Sequence, residues 1–66
     1  MRCIINGQTE ELPDGCTIAD CLRERHLDRG ACAVEVNQTL VPKAGHAEHA
    51  LRDGDRIEIV TLVGGG

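Results

Sequence analysis

Three groups of residues in this 66-residue chain have types and spacings that could do chemistry. They are the run Gly64-Gly65-Gly66, the four cysteines Cys3, Cys16, Cys21 and Cys32, and the pair His46-x-x-His49 beside Glu48. The glycines stand out because they directly follow the apolar run Ile57-Glu58-Ile59-Val60-Thr61-Leu62-Val63. Such a tail has nothing to bury, and glycine loses more backbone entropy on ordering than any other residue. Its chemical assets are two. Lacking Cβ atoms, it is thin enough to thread a channel in another protein, and it leaves the Gly66 carboxylate unhindered. A frayed end without a role is the competing reading, and the glycines alone do not decide between them. A phosphate cradle is excluded on physical grounds, because no helix follows the glycines to present its N-terminus to an anion.

The cysteines and histidines point elsewhere. No two cysteines form a Cys-x-x-Cys pair, which weighs against zinc and against thioredoxin-like redox chemistry. The absence of an export signal predicts reduced thiols. Cys3 and Cys21 fall at apolar positions of a strand and a helix, where free cysteine packs as a small hydrophobe. A persulfide relay through any of the four is the less favoured reading. His46 and His49 could share one helical face, but no further ligand pair accompanies them, so both are expected as surface histidines on a short turn, with no metal.

The bulk composition sets limits on the rest. Sixty-six residues make one domain, and a chain so short buries only about 60% of its unfolded surface. With no Phe, Tyr or Trp, the core must be built from Ile, Leu, Val, Ala, Cys and Met1. That leaves little room for a deep pocket with catalytic machinery and favours a carrier or interaction module over an enzyme. Seven basic against eleven acidic residues give a net charge of -4, which repels phosphate backbones and excludes nucleic acid as a partner. No apolar stretch approaches the roughly 20 residues of a membrane span. A soluble, cytoplasmic protein, monomeric when free, is expected.

The elements that would position these groups follow from periodicity. Met1, Cys3 and Ile5 alternate with Arg2 and Ile4 as a half-buried strand. Asn6-Gly7 predicts a type I′ hairpin turn into a second strand over Gln8 to Leu12, broken by Pro13-Asp14-Gly15. Thr17 reads as a helix N-cap with Asp20 in the capping-box position. Ile18, Cys21 and Leu22 line one face of a helix reaching about His26, with Arg23, Glu24 and Arg25 outward and Gly30 a stop soon after, as a C-terminal cap or in the loop that follows. Ala33 to Asn37 is a third strand, Leu40-Val41 a brief fourth, and Lys43 to Leu51 is irregular or a single helical turn. After the Asp53-Gly54-Asp55 turn, Arg56 to Leu62 forms the final strand, with Ile57 and Ile59 on one face and Glu58, Val60 and Leu62 on the other.

This order, β-β-α-β-β-β, predicts an α+β fold in which one helix covers one face of a mixed four- to five-stranded sheet. Cys3, Ile5, Ile18, Cys21, Leu22, Val34, Val36, Ile57 and Ile59 are the expected core, with the first and last strands paired in parallel. The other sheet face is open, and Val60, Leu62 and Val63 beside the tail are the candidate partner-docking patch. The domain is expected over residues 1–63 and a flexible tail over 64–66.

Taken in order, these residues resemble a known family. The strand ending at Asn6-Gly7, Thr17-Ile18-Ala19-Asp20-x-Leu22, Val34-Glu35-Val36-Asn37, Val41-Pro42-Lys43, His49-x-Leu51, Asp53-Gly54-Asp55-Arg56-Ile57-Glu58-Ile59 and the glycine end are similar to the β-grasp, ubiquitin-like sulfur carriers. The similarity spans essentially the whole chain and is greatest to the ThiS type of thiamine biosynthesis. It implies that an E1-like, ThiF-type adenylyltransferase, using ATP and Mg, adenylates the Gly66 carboxylate. Sulfur drawn from cysteine by a desulfurase then displaces AMP to leave a thiocarboxylate. A ThiG-type thiazole synthase is the implied acceptor, Gly64 and Gly65 are the arm reaching both partners, and the chain itself binds no cofactor and is a cosubstrate rather than a catalyst. The family's minimum is a terminal Gly-Gly, matched by Gly65 and Gly66, with Gly64 a third. Alternatives within reach of the same residues are a carrier for molybdopterin or another sulfur metabolite, a ubiquitin-like protein modifier, and a plain interaction domain.

Overall fold

The computed structural model describes residues 1–62. The elements are β1 (Arg2–Ile5), β2 (Gln8–Glu11), α1 (Ile18–Glu24), β3 (Cys32–Val36), β4 (Thr39–Val41) and β5 (Arg56–Thr61), with one 3₁₀ turn at Lys43–Gly45. The strands form a single five-stranded sheet in the order β2-β1-β5-β3-β4. The expected parallel pairing of first and last strands is present, with Ile4 beside Arg56 and Ile5 beside Ile57. This puts β5 at the centre of the sheet, antiparallel to β3 on its other side.

Turn chemistry sets the two hairpins. Asn6 and Gly7 both adopt positive φ (50° and 83°), the type I′ geometry whose twist matches that of the flanking strands. Asn37 and Gln38 repeat it between β3 and β4 at φ 51° and 71°, although Gln38 lacks the freedom of glycine there. A two-residue loop fixes register, so Val36 faces Thr39, Glu35 faces Leu40 and Val34 faces Val41.

Helix α1 begins as its sequence predicts. The Asp20 N–H donates to Thr17 Oγ1 and the Thr17 N–H donates back to Asp20 Oδ2, both at 3.1 Å. Two further free N–H groups of the first turn are satisfied from a distance: Ile18 donates to the His49 carbonyl (3.1 Å) and Ala19 to the His46 carbonyl (3.0 Å). The irregular stretch after Pro42 is therefore the lid of the helix N-terminus, tied down by a Thr17–Ala50 bridge and by the Leu51 N–H on the Cys16 carbonyl (2.8 Å).

The helix ends slightly before the predicted His26. His26 takes the left-handed conformation (φ 60°), its N–H donates to the Arg23 carbonyl, and the Leu27 N–H donates to the Leu22 carbonyl at 2.8 Å. That is a Schellman closure, with the Leu27 side chain packed against the core as the accompanying apolar contact. Gly30 lies exposed in the loop beyond. Arg25, expected to point outward, is half-buried and ion-paired with Glu10 of β2.

All nine predicted core residues are buried, and Cys16 and Leu51 join them. Those two flank the helix N-terminus in loops, where no periodicity marks them. His46 corrects the expectation of a surface histidine: it is 6% exposed, with Nε2 2.9 Å from the Val41 carbonyl, while His49 is half-buried. The lid over α1 draws both histidines inward.

Candidate functional site

The predicted loading point, Gly66, its arm, Gly64 and Gly65, and one predicted docking residue, Val63, lie outside the described residues. The structure does show what carries that segment. β5 leads directly to it, and its position between β1 and β3 means hydrogen bonds hold it from both sides. The Leu62 N–H continues the ladder one residue past the strand, donating to the Ala31 carbonyl at 2.9 Å.

Two asparagines fasten β5 further. Beyond the end of β1, the Asn6 side chain substitutes for backbone: its Oδ1 accepts from the Ile59 N–H (2.8 Å) and its Nδ2 donates to the Ile59 carbonyl (3.2 Å). At the start of β5, Asn37 Oδ1 accepts from the Arg56 N–H (3.0 Å) and the Asn37 N–H donates to the Arg56 carbonyl (2.8 Å). By type and position in the sequence, both residues predict only a turn. The Asn6 side chain mimics a whole peptide group, whereas the Asn37 side chain supplies the acceptor and its backbone N–H the donor; local sequence cannot show either clamp because the partners lie far along the chain.

Along β5 the side chains alternate. Ile57 and Ile59 are buried under α1, whereas Arg56, Glu58 and Val60 are exposed on the opposite face. Val60 and Leu62 are thus where the sequence placed them, 57% and 58% exposed. A third exposed hydrophobe, Leu40 at 60%, was missed. Register puts it on the same face, since Glu35 pairs with both Glu58 and Leu40 while the neighbouring Val34 and Val36 are buried. The signal was legible in the two-residue turn, which forces Leu40 opposite Glu35.

The cysteines take no part in this face. Cys3, Cys16 and Cys21 are buried, Cys32 is half-buried, and all four are free. Burial pushes the Cys3 thiol up from its ordinary value, with the Asp55 carboxylate adding to the effect. Burial and then the nearby Cys21 do the same at Cys16. Since the thiolate is the nucleophile, both are poor candidates for sulfur relay. Among the described residues no group of three His, Cys, Asp or Glu side chains is placed to hold a metal ion.

A cleft of about 710 Å³ lies between β2 and α1, lined by Glu10, Glu11, Asp14, Asp20 and Glu24. Its two cations are already engaged, Arg23 with Asp20 at 3.1 Å and Arg25 with Glu10. An acidic cleft with no free cation repels a polyphosphate.

The sequence profile of the ThiS family matches residues 1–66. The chain belongs to the ThiS family of sulfur carriers. Within this wider ThiS group, the chain is 29% identical over 66 residues to the sulfur carrier protein ThiS of Escherichia coli, covering the whole of both chains. It is 39% identical over 66 residues to a thiazole synthase of Paramagnetospirillum magneticum, of whose length it spans 20%. The crystal structure of the thiamine biosynthesis protein ThiS from Geobacter metallireducens superimposes over the full length of both chains with a TM-score of 0.83 at 20% identity. That likeness establishes the β-grasp fold for this ThiS-family chain.

Proposed function

We propose that this protein carries sulfur for thiamine biosynthesis as a thiocarboxylate on Gly66. The match to the Escherichia coli sulfur carrier over the whole of both chains is the observation that carries this reading. A carboxylate is a poor electrophile, so the tail must first be activated. An ATP- and Mg-dependent, E1-like partner of the ThiF type forms the Gly66 acyl-adenylate, releasing pyrophosphate. Sulfur drawn from cysteine by a desulfurase arrives as a persulfide, whose outer sulfur replaces AMP at the acyl carbon; a second thiol then reduces the resulting acyl disulfide, leaving the thiocarboxylate and a disulfide. Nucleotide binding is assigned to the partner, in keeping with the acidic lining of the chain's own cleft. The protein is then a cosubstrate and not a catalyst.

Delivery is proposed to a thiazole synthase of the ThiG type, where the sulfur enters the thiazole ring. The relative named a thiazole synthase, which contains a segment matching this whole chain, supports that pairing. Val60, Leu62 and Val63 form the apolar base on which a partner seats while Gly64 and Gly65 thread its active site.

The test is direct. The protein is incubated with a ThiF-type adenylyltransferase, ATP, Mg and a sulfide source, and its intact mass is measured. One oxygen-to-sulfur exchange is expected, and a chain lacking Gly66 should show none while keeping its melting temperature. Isopeptide adducts on lysines of other proteins, in place of that exchange, would make it a protein modifier instead.

A further inference from the structure

The open face of the sheet carries more than apolar residues. Glu35 and Glu58 stand directly opposite each other on β3 and β5. Their Cβ atoms are then about 5 Å apart, a separation at which like charges destabilise a sheet. Among the described residues neither carboxylate takes part in an ion pair or a side-chain hydrogen bond, and Arg56, two residues before Glu58 on the same face, is not ion-paired with it. Leu40 extends this row beyond Glu35, and Val60 and Ala33 form the next row toward the tail. The like-charged pair is therefore flanked by the exposed Leu40 on one side and Val60 and Leu62 on the other.

This arrangement restricts what can cover the face. Any surface that buries the three hydrophobes also strips water from the two carboxylates, which is costly unless a cation meets them. A lysine offers one point charge, whereas a guanidinium offers five N–H donors in a plane and can reach both carboxylates. A second copy of this chain would bring four carboxylates together between two bodies of net charge -4, so self-association does not satisfy the face.

We propose that Glu35 and Glu58, set among Leu40, Val60 and Leu62, form a docking face for the adenylating partner, which inserts an arginine flanked by apolar side chains. The inference rests on the reading of the protein as an adenylated carrier. The opposed carboxylates lower the stability of the free protein and supply specificity on docking, a cost in folding retained for recognition.

The experiment compares the parent with the double variant Glu35→Gln/Glu58→Gln in ATP-dependent adenylation by a ThiF-type enzyme, over a range of carrier concentrations and at two ionic strengths. A charge-matched control, Glu24→Gln/Asp28→Asn, alters exposed acids of α1 and the loop after it. The double variant should need about tenfold or more carrier for half-saturation, with a weaker salt dependence. It should also melt about 1–5 °C higher, since the repulsion is gone. The control should saturate like the parent. Equal saturation of parent and double variant overturns the proposal, as does an equal loss in the control, which would reduce the effect to net charge. Failure of the parent itself to be adenylated overturns the carrier reading and this proposal with it.

Discussion

The two faces of β5 stand in sharp contrast. On one, Ile57 and Ile59 are buried at 1% and 8% exposure in a core shared with residues of β1, α1 and β3. On the other, Glu58 and Val60 are open to solvent beside Leu40 and Leu62. Because side chains alternate along a strand, a single six-residue segment holds the fold with one set and presents an exposed face, the proposed docking surface, with the other.

The largest effect should come from testing that division directly. Ile57→Ala opens a cavity in a core with no aromatic side chain to collapse into it, and a loss of about 2–5 kcal/mol is expected. Set against the roughly 3–10 kcal/mol that a chain of this size possesses, this removes a large share of its stability. Val60→Ser, three residues on and of opposite parity, should change stability by no more than about 0.5 kcal/mol while weakening the adenylation of the carrier at limiting concentrations. Urea unfolding followed by circular dichroism measures the first, and adenylation kinetics the second. If Val60→Ser unfolds the protein as readily as Ile57→Ala does, the two faces are not functionally separate.

How far the division was legible in sequence depends on the range of the interactions involved. Alternation over Arg56 to Leu62 was sufficient to place Ile57, Ile59, Val60 and Leu62 on their faces, because a strand's period is local. The capping box at Thr17 and the turn at Asn6-Gly7 were legible for the same reason. What was not legible required partners distant in the chain. Cys16 and Leu51 are buried only because the lid after Pro42 closes on the helix N-terminus. His46 looked like an exposed turn residue because nothing near it in sequence announces that its backbone would cap α1. Gly30 lies in the loop after the helix, the second of its two expected places, while the left-handed closing position falls at His26, where the hydrogen bonds to Leu22 and Arg23 form. The glycine run that carries the proposed chemistry lies outside the described residues, and its reading comes from its residue types and the family match.

A smaller effect sharpens the comparison by loosening the clamp on β5 while sparing both of its faces. Asn6→Gly retains a residue suited to φ 50° and so preserves the turn, but removes both side-chain hydrogen bonds to Ile59. A net loss of about 1–2 kcal/mol is expected for two such bonds. The amide of Ile59, whose N–H loses its acceptor, should exchange with solvent markedly faster than in the parent, whereas the amide of Leu62, held by Ala31, should slow or quicken only with global stability. Unchanged exchange at Ile59 would mean that pairing with β3 alone holds the strand that bears the tail.

The smallest expected effect concerns the helix that covers the buried face, and it is read through pH. Hydrogen bonds from the Thr17 backbone and hydroxyl-capped turn, aided by Arg23, hold the Asp20 carboxyl below its ordinary value of 3.8. A carboxyl whose folded value is depressed binds fewer protons in the folded state than in the unfolded one. Its contribution to stability is therefore complete above the unfolded value and is lost as pH falls through the folded one. Asp20→Asn should accordingly narrow the gap in melting temperature between parent and variant as pH is lowered from neutrality to below 3.8, the difference being greatest near neutral pH. Val60 and Leu62 lie on the far side of the sheet from α1, so the same variant should leave half-saturation in the adenylation assay unchanged near neutral pH. A gap in melting temperature that stays constant with pH would assign the role of Asp20 to packing rather than to its charge, and a shift in half-saturation would show that the helix and the open face are coupled through the sheet.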